Sequence, residues 1–529
     1  MKMKNAEYPY YCVPNLKNLQ DLISYCAYTF GEKTAFHYLE KDKEIVKSYR
    51  DFFEDVTAVC NYLIKRGYER RHIALLGENS YEWLVFYFAI VNSNNVVVPL
   101  DKEMSVSDLS LIVRRSDSSI IVYSEDYAEE AVLNEGLDLI NMKSFQNIID
   151  ENKNTDNCAL NFFENVEINN NAMCAIVYTS GTTSDPKGVM LSHKNLISDA
   201  LYSRMNSNIP DTSILVLPLH HTYAIIIAIS LPMLCGTSVF INKNLRMLMH
   251  DIMYCKPKYI AVVPLMLEIF RKKICENIKK SNKENTINKL LIASKLLRSI
   301  GIDLRRKFFS KIINAFGGNL ELIAVGGAPI NGKTVANLID FGIAVSNGYG
   351  TSECSPIVSF VRDKHYNPYS VGTVLPGVKV RILDGEIQVK GDIVFLGYYK
   401  DEQATKKAFD GEWYKTGDIG CIENGFLFIN GRKNNLIVLS NGENVSPEEL
   451  ELMLHNNIPE IEEVLVYNEE DIIVAEIYSP SVNSETESKI RNDIDRINKN
   501  IPYYKQISKI IFRENDFEKT TTKKIKRNH

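Results

Sequence analysis

The sequence has 529 residues, which exceeds the size at which a single hydrophobic core stops growing, so we expect at least two domains. Hydrophobic residues make up 45% of the chain and charged residues 24%, a composition typical of globular proteins and not of disordered ones. The formal net charge of −5 argues against nucleic acid as the main partner.

The cysteines and the N-terminal residues indicate the cellular compartment in which the protein is expected. The ten cysteines form no C-x-x-C pair and no Cys/His cluster, which predicts free thiols in a reducing compartment and no structural zinc. The first ten residues lack the apolar core of a signal peptide. The longest apolar run, residues 224–235, is too short to span a membrane and fits a buried strand or helix. We therefore expect a cytoplasmic protein without a transmembrane segment, with peripheral membrane contact left open.

The residues before about 170 alternate between helical and strand-like patterns. Residues 16–30 have helical periodicity, residues 72–77 resemble a strand, residues 80–91 form an apolar helix, and residues 96–101 resemble a second buried strand. This alternation predicts an α/β layered domain. The charged residues 101–103 directly after the second strand are interpreted as a solvated loop.

A stretch rich in hydroxyl residues and glycine, residues 178–193, follows the apolar run 175–177. It reads Tyr-Thr-Ser-Gly-Thr-Thr-Ser-Asp-Pro-Lys-Gly-Val-Met-Leu-Ser-His and is interpreted as a strand, a loop and a helix start. Glycines let amide groups point into one concavity, hydroxyls add donors and Lys187 adds a cation, which together favour phosphate binding. The Walker pattern fits only in part, because Pro186 and Gly188 replace its second glycine and its hydroxyl residue. A plain surface loop is the alternative.

A strand that runs into an apolar segment follows, over residues 215–227. It contains His220 and His221, but the pair lacks a third metal ligand at helical spacing. Residues 212–250 contain no Asp or Glu. If these residues form one wall of a substrate site, that wall has no carboxylate to pair with an ammonium group. Because an unpaired buried charge is costly, such a site favours an apolar carboxylic acid over an amino acid. Residues 224–229 either line a tunnel for that acid or pack in the core.

Helical spacing continues over residues 271–306, which are rich in Lys, Asn and Leu and predict a solvated helical face. Two later segments, residues 322–329 and 344–353, are strands that end in small residues. Glycines at strand ends allow a planar base to approach the backbone closely.

The remaining pattern predicts a β subdomain and a small α+β domain. Residues 371–382 and 385–391 are strands separated by turns. Residues 411–418, Gly-Glu-Trp-Tyr-Lys-Thr-Gly-Asp, end a hairpin with a carboxylate suited to accept both ribose hydroxyls. Residues 431–439 pass from a Gly/Asn-rich turn into a strand, where a chain can absorb large φ/ψ changes. A helix opening at Pro447 and two strands follow.

Five motifs, in the same order along the chain, resemble the signatures of the adenylate-forming (ANL) superfamily, which includes acyl-CoA synthetases, peptide-synthetase adenylation domains and firefly luciferases. The motifs are residues 178–193, 347–353, 411–418, 431–437 and 519–524. The resemblance implies an α/β and α+β multidomain fold. Residues 1–433 would form a large AMP-binding domain of two α/β layered subdomains and a β subdomain, and residues 434–529 a small mobile α+β lid.

The resemblance also implies an activity in two half-reactions. A carboxylate attacks the α-phosphate of ATP to give an acyl-adenylate and pyrophosphate, and a thiol then takes the acyl group. The implied ligands are ATP, Mg²⁺ and coenzyme A, and the implied substrate is an apolar acid such as a medium- or long-chain fatty acid or an aromatic acid. Transfer to the phosphopantetheine thiol of an acyl carrier protein is the alternative. A nucleotide-binding regulator without turnover is the alternative from another class.

Site residues follow from the resemblance, motif by motif. The implied ATP- and AMP-binding residues are Thr179, Ser180, Gly181, Thr182, Thr183, Lys187, Gly327, Ala328, Asn347, Gly348, Tyr349, Gly350, Thr351, Asp418, Arg432 and Lys524. The implied catalytic residues are Lys524, Thr179 and His221. The implied metal ligands are Glu353 and Thr179, the acyl and thiol pocket contains His221, Tyr223 and Gly442, and the hinge is Asn434.

Two positions depart from the family pattern. Asn434 stands where relatives commonly carry Asp or Lys at the hinge. In the last motif, Glu518 replaces a proline and Lys523 replaces a glycine, so Lys523 competes with Lys524 for the role of the catalytic lysine. A disordered basic tail is the alternative interpretation of these last residues.

Overall fold

The computed structural model describes residues 9–41, 43–127, 136–153, 166–179, 186–280, 284–362, 365–439, 443–469, 472–480, 483–519, 525 and 527. Its helices are α1 (Leu19–Phe30), α2 (Tyr49–Lys65), α3 (Tyr81–Asn92), α4 (Val106–Arg115), α5 (Phe145–Asn152), α6 (His193–Asn206), α7 (Leu231–Leu234), α8 (Leu248–Cys255), α9 (Pro264–Lys280), α10 (Glu284–Ser299), α11 (Arg305–Phe308), α12 (Ser310–Asn314), α13 (Gly332–Asp340), α14 (Glu402–Ala408), α15 (Pro447–Asn457) and α16 (Ser484–Asn498).

The strands carry the site-bearing loops at their ends. They are β1 (Thr34–Glu40), β2 (Lys43–Ser48), β3 (His72–Leu76), β4 (Val96–Pro99), β5 (Ser118–Tyr123), β6 (Asp138–Asn141), β7 (Met173–Thr179), β8 (Lys187–Ser192), β9 (Thr212–Leu215), β10 (Ser238–Ile241), β11 (Tyr259–Val262), β12 (Leu322–Val325), β13 (Ala344–Tyr349), β14 (Ser359–Phe360), β15 (Thr373–Val374), β16 (Lys379–Leu383), β17 (Glu386–Lys390), β18 (Gly397–Tyr398), β19 (Phe409–Asp410), β20 (Trp413–Glu423), β21 (Phe426–Arg432), β22 (Ile437–Val438), β23 (Asn444–Val445), β24 (Glu463–Glu469), β25 (Ile472–Tyr478) and β26 (Ile507–Arg513).

Two layered sheets form most of the large domain. The first has the strand order β18-β8-β7-β4-β3-β5-β6, and the second has the order β15-β14-β13-β12-β11-β9-β10-β1-β2. Strands β7, β4, β3, β5 and β6 run parallel in the first sheet, and β10, β9, β11, β12 and β13 run parallel in the second. The predicted α/β layers are confirmed. Because the carboxyl ends of parallel strands meet at one edge of a sheet, functional loops collect there.

Helix α3 explains how the two layers share one core. The Ser80 hydroxyl accepts a hydrogen bond from the Trp83 amide at 3.1 Å and starts the helix. Every residue of α3 except Glu82 is buried, as expected of a helix that is apolar on all sides. It packs with α1, α2 and side chains from both sheets in a single hydrophobic cluster. The outer faces of the sheets are covered separately, the first by α4 and the second by helices that include α9 and α13.

A third sheet and a small C-terminal domain complete the chain. Strands β16, β17, β20 and β19 pair in that order, with β21 on β20, which confirms the predicted β subdomain. In the smaller domain, β24 and β25 pair antiparallel and β26 pairs parallel to β25. Helices α15 and α16 pack on this sheet in a core of their own, so the predicted α+β character is confirmed. The boundary at residue 434 and the mobility of the domain stay predictions.

The apolar run of residues 224–235 is helical. A π-helix, Ala224–Ser230, leads into α7, and all of its residues are buried. The Ser230 hydroxyl donates to the Ile225 carbonyl at 2.8 Å, and the Tyr259 hydroxyl donates to the Ile227 carbonyl at 3.0 Å, so these carbonyls have additional partners. Among the described residues, no helix combines the length and the apolar composition needed to cross a bilayer.

The described residues of the tail are bound to the small domain. Lys519 forms an ion pair with Glu463 and a β-bridge with Ile525, and Arg527 forms an ion pair with Glu451. At these positions the alternative of a disordered basic tail is wrong. Residues 520–524 lie outside the described residues, but the chain is fixed on both sides of them.

A buried histidine at the start of α6 makes a prediction about stability. His193 is 3% exposed, its Nδ1 accepts from the Leu19 amide at 3.4 Å, and burial lowers its pKa to about 4. The unfolded chain therefore binds a proton at this group between pH 6.5 and 4 while the folded chain does not, so stability falls as the pH drops through this window. The difference amounts to about 3 kcal/mol.

We expect His193→Asn, which keeps an acceptor for the Leu19 amide, to lose about 3 kcal/mol less unfolding free energy than the wild type between pH 7 and pH 4. Urea denaturation of both proteins at the two pH values measures this difference. Equal losses in the two proteins would show that His193 does not contribute.

Candidate active site

The loops after β9, β12 and β13 leave the same edge of the second sheet, because these strands are parallel to β11 or to each other. Tyr223, in the loop after β9, packs directly against Gly326, in the loop after β12. A Cβ atom added to Gly326 would lie 3.4 Å from Cζ of Tyr223 and 3.3 Å from the Gly348 carbonyl oxygen of β13. The structure therefore brings the predicted adenine and acid elements together at this edge.

Asp418 connects two other predicted residues. The Tyr349 hydroxyl donates to Asp418 Oδ2 at 2.7 Å, and Arg432 Nε lies 2.9 Å from Asp418 Oδ1. Asp418 is only 4% exposed, whereas Arg432 is about half exposed. Burial, followed by the Asp418 charge, raises the pKa of the Tyr349 hydroxyl, which stays a hydrogen-bond donor. A carboxylate has about four acceptor positions, which is the chemistry that hydroxyl groups of a ligand require.

The position of Asp418 differs from the prediction. It does not end a hairpin, because β20 continues to Glu423 with alternate residues buried. Asp418 instead faces Arg432 of β21, and the register shifts between Ile419 and Gly420. Such an irregularity in a strand pair re-aims a side chain locally. The carboxylate thus belongs to the middle of a sheet, where its position is more rigid than at a turn.

A tyrosine that the sequence analysis missed connects Glu353 with Lys187. The Tyr398 hydroxyl donates to Glu353 Oε1 at 2.8 Å, and Lys187 Nζ lies 5.1 Å from the centre of the Tyr398 ring. Burial, followed by the Glu353 charge, raises the pKa of Tyr398. Lys187 is also the direct register partner of Thr179 across the β7–β8 hairpin. Tyr398 therefore contacts both the predicted metal ligand, Glu353, and the predicted phosphate-binding cation, Lys187.

Three of the predicted glycines serve different purposes. Gly327 has φ +88° and open space around its Cα, which leaves the backbone accessible to a ligand. A Cβ atom on Gly348 would lie 2.9 Å from the Phe360 ring, and one on Gly350 would lie 1.7 Å from the Pro356 carbonyl oxygen. Close packing therefore accounts for Gly348 and Gly350 independently of any ligand.

The His220–His221 loop is held by the first sheet. The side chain of Asn79 accepts from the Leu219 amide at 3.1 Å and donates to the Leu217 carbonyl at 2.9 Å. The two imidazole rings lie with their centroids 4.0 Å apart. Burial, then the neighbouring His221, lowers the pKa of His220 well below its usual value, so His220 is neutral near pH 7.

The interpretation of Asp101 as part of a solvated loop is wrong. Asp101 is 8% exposed, and its Oδ2 lies 3.7 Å from Nε2 of His220. The loop from the second sheet covers this end of β4, which the local sequence does not indicate. The His220–His221 wall therefore has a carboxylate beside it, contributed by a distant strand.

The remaining predicted residues divide into two groups. Asn347 is buried and its amide donates to the Ser370 carbonyl at 2.9 Å, Thr351 and Ala328 are partly exposed, and Asn434 lies exposed in a short 3₁₀ turn. The others lie outside the described residues: Ser180, Gly181, Thr182, Thr183, Gly442 and Lys524.

The donor set around Glu353 fits magnesium better than a protein-ligated transition metal. Across the described ranges, no three His, Cys, Asp or Glu side chains gather as metal ligands. Mg²⁺ is commonly held by one or two carboxylates together with phosphate oxygens and water. Glu353, with its second oxygen not engaged by Tyr398, is suited to that role.

Comparison with protein families identifies the chain. Residues 24–399 match the AMP-binding enzyme family, and residues 434–529 match the AMP-binding enzyme C-terminal domain. The chain belongs to the AMP-binding enzyme family. The resemblance to adenylate-forming enzymes inferred from the five motifs is thereby confirmed.

Named relatives of this AMP-binding enzyme are ligases. It is 28% identical over 475 residues to long-chain-fatty-acid–CoA ligase 5 of Rattus norvegicus, covering 80% of this chain and 69% of the relative. Its fold matches the anthranilate CoA ligase AuaEII in complex with anthranoyl-AMP, with a TM-score of 0.78, 20% identity and coverage of 99% and 97%. It also matches the Bacillus subtilis o-succinylbenzoate coenzyme A synthetase MenE, solved with ATP and a magnesium ion, with a TM-score of 0.72, 21% identity and coverage of 96% and 98%.

Proposed function

We propose that this AMP-binding enzyme is an ATP-dependent acid–thiol ligase that activates an apolar carboxylic acid as acyl-AMP and transfers the acyl group to coenzyme A. The observation that carries the proposal is the buried carboxylate of Asp418, bonded by Tyr349 and Arg432. The neighbouring loop supplies the open backbone of Gly327, directly after Gly326, which packs against Gly348 of β13. This arrangement offers acceptors for ribose hydroxyls, a cation for phosphate and a surface for a planar base. The CoA-ligase names of the relatives support the thiol.

In this proposal each group has one task. The adenine lies between the Gly327–Ala328 backbone and the Tyr349 ring, and Asn347 faces its amino group. Asp418 binds the ribose, Arg432 contacts ribose and phosphate, and the phosphates contact residues 179–183, Lys187 and Thr351.

Glu353 and Thr179 would hold Mg²⁺, which neutralises charge on the phosphate oxygens when bound. His221 and Tyr223 border the acid, and Asn434 is the hinge about which the small domain brings Lys524 to the reacting atoms.

The wall of the acid site supports an apolar substrate. The π-helix Ala224–Ser230 that continues from His221 and Tyr223 consists of buried aliphatic residues except for Ser230. The carboxylate of Asp101 beside this wall accepts from the Glu103 amide and faces His220. A medium- or long-chain fatty acid fits such a surface better than an amino acid, whose ammonium would need a free carboxylate.

A panel of acids in an ATP–pyrophosphate exchange assay tests the proposal. We expect exchange with medium- or long-chain fatty acids and none with amino acids. Exchange with amino acids that is lost in Asp101→Asn would contradict the proposal and identify Asp101 as the counter-ion of an ammonium. No exchange with any acid would favour a nucleotide-binding regulator. Acyl transfer to a purified carrier protein but not to coenzyme A would favour carrier loading.

Glu353→Gln should raise the Mg²⁺ concentration needed for half-maximal adenylation by at least about tenfold, because it removes the charge that holds the metal beside the phosphates. Tyr398→Phe should cause a smaller increase, because it removes the hydrogen bond that orients Glu353 but leaves the charge that binds the metal. Mg²⁺ titrations of the exchange rate measure both effects.

Glu412→Gln is the matched control, because Glu412 is exposed and pairs with Lys390 on the β subdomain. Its titration curve should coincide with that of the wild type. A wild-type curve for Glu353→Gln would refute the assignment of Glu353.

A further inference from the structure

An exposed apolar stripe lies on α10. Ile292, Leu296 and Ile300 are 62%, 66% and 69% exposed, and their spacing of four residues places them on one face of the helix and its end. Ile302 follows at 44% exposed. The helical face that was predicted to be solvated is exposed, and it also carries large aliphatic side chains.

The orientation of α10 is fixed from its other side. Lys295 Nζ and Arg298 Nη2 pair with the two oxygens of Asp340 on α13, at 3.1 and 2.8 Å, and Ser294 is buried. These contacts hold the inner face of the helix on the second layer. The aliphatic stripe consequently faces outward.

The stripe lies in a long basic part of the chain, residues 264–311, which we call the basic helical segment. It contains thirteen Lys and Arg and four Asp and Glu, a formal charge of +9 in a chain whose total is −5. Lys289 continues the stripe toward the start of α10, and Arg306, Lys307 and Lys311 are exposed after its end. Exposed aliphatic residues flanked by basic ones are the pattern of a helix that lies on an anionic lipid surface.

We propose that the basic helical segment docks this enzyme on anionic membranes, with Ile292, Leu296 and Ile300 inserted among the lipids. A second copy of the chain fits the surface less well, because a two-fold symmetric contact would place the same basic segments opposite each other. The inference rests on the proposed function in one respect, namely that a bilayer is where an apolar acid would be encountered.

Co-sedimentation with vesicles tests the proposal. The wild type should bind vesicles of equimolar phosphatidylcholine and phosphatidylglycerol, bind phosphatidylcholine alone at least about tenfold more weakly, and be released at about 0.5 M salt. Leu296→Glu combined with Ile300→Glu should lower binding to the anionic vesicles by about tenfold or more. Lys289→Gln combined with Lys307→Gln should lower it by a similar factor, because each basic residue near the surface contributes roughly fivefold.

Matched controls separate the surface from general effects of charge. Leu383→Glu combined with Ile422→Glu adds the same two charges at residues that are each 43% exposed on the β subdomain. Lys406→Gln combined with Lys407→Gln removes two exposed lysines of α14. Both control proteins should bind within about twofold of the wild type, and all variants should keep wild-type exchange with a medium-chain fatty acid in the absence of vesicles.

Equal binding of the wild type and the stripe variant would overturn the proposal, as would self-association without vesicles that the stripe variant abolishes. Loss of exchange in the wild type itself would instead count against the proposed function. The two failures are therefore distinguishable.

Discussion

Lys524→Ala is expected to slow acyl-adenylate formation by about 10²- to 10³-fold, because a fixed cation beside the α-phosphate stabilises the charge that moves toward pyrophosphate in the transition state. The same variant, supplied with preformed acyl-adenylate, should transfer the acyl group to coenzyme A at a near wild-type rate, since the small domain would have turned away by then. Exchange kinetics and single-turnover thioester formation measure the two steps separately.

The prediction concerns one of two adjacent lysines, since Lys523 directly precedes Lys524 in the sequence. Both lie between Lys519 and Arg527, which pair with Glu463 and Glu451 of the small domain. Lys523→Ala is therefore the matched control and should impair neither step. A crippled Lys523→Ala protein would show that the tail is aligned one residue too late. Equal slowing of both half-reactions by Lys524→Ala would refute the rotating-domain mechanism.

Asp418→Asn is expected to weaken ATP binding by about 10²-fold. The substitution keeps the shape of the side chain but removes the negative charge, and each charge-assisted hydrogen bond to a hydroxyl group contributes roughly 1.5 to 3 kcal/mol. The Arg432 guanidinium, whose Nε lies 2.9 Å from Asp418 Oδ1, also loses its charged partner, which under the proposed function orients it toward the phosphates. Calorimetric titration with ATP measures the affinity, and thermal unfolding of the same samples shows whether the fold is intact.

Asp410→Asn provides the control for this experiment. Asp410 lies in the same sheet and also pairs with an arginine, Arg381, but on the exposed surface. Exposed ion pairs contribute little to stability, so this variant should bind ATP like the wild type. Unchanged ATP affinity in Asp418→Asn would remove the ribose-binding role from the proposal.

Local patterns in the sequence predicted those parts of the fold that depend on neighbouring residues. Helix α3 was predicted correctly because twelve largely apolar residues after a capping serine fit only an interior helix. The strands that end at Thr179 and Tyr349 were found because short apolar runs lead into small residues. The family motifs assigned Tyr349, Asp418 and Arg432 to one nucleotide site, but the hydrogen bond and the ion pair that join them were not predicted, and Asp418 was placed at a turn.

Contacts between distant segments escaped prediction. Asp101 follows β4 and is covered by the loop after β9, more than one hundred residues later, so no local pattern marks it as buried. Tyr398 reaches Glu353 because β18 pairs with β8 across about two hundred residues. Asn79 similarly bonds a loop that follows a strand of the other sheet. Each of these depends on how two layers meet, which residue spacing does not encode.

The π-helix Ala224–Ser230 has a consequence for how substrate range can diversify. A π turn accommodates one residue more than an α turn. The helix can therefore gain or lose one residue there while the helix that follows keeps its direction. Because Asn79 holds the preceding loop separately, such an insertion or deletion would rotate the aliphatic side chains that follow without displacing His221. Under the proposed function, the insertion or deletion of one residue in this turn would therefore change the aliphatic wall of the acid site and leave the proposed nucleotide-binding residues in place.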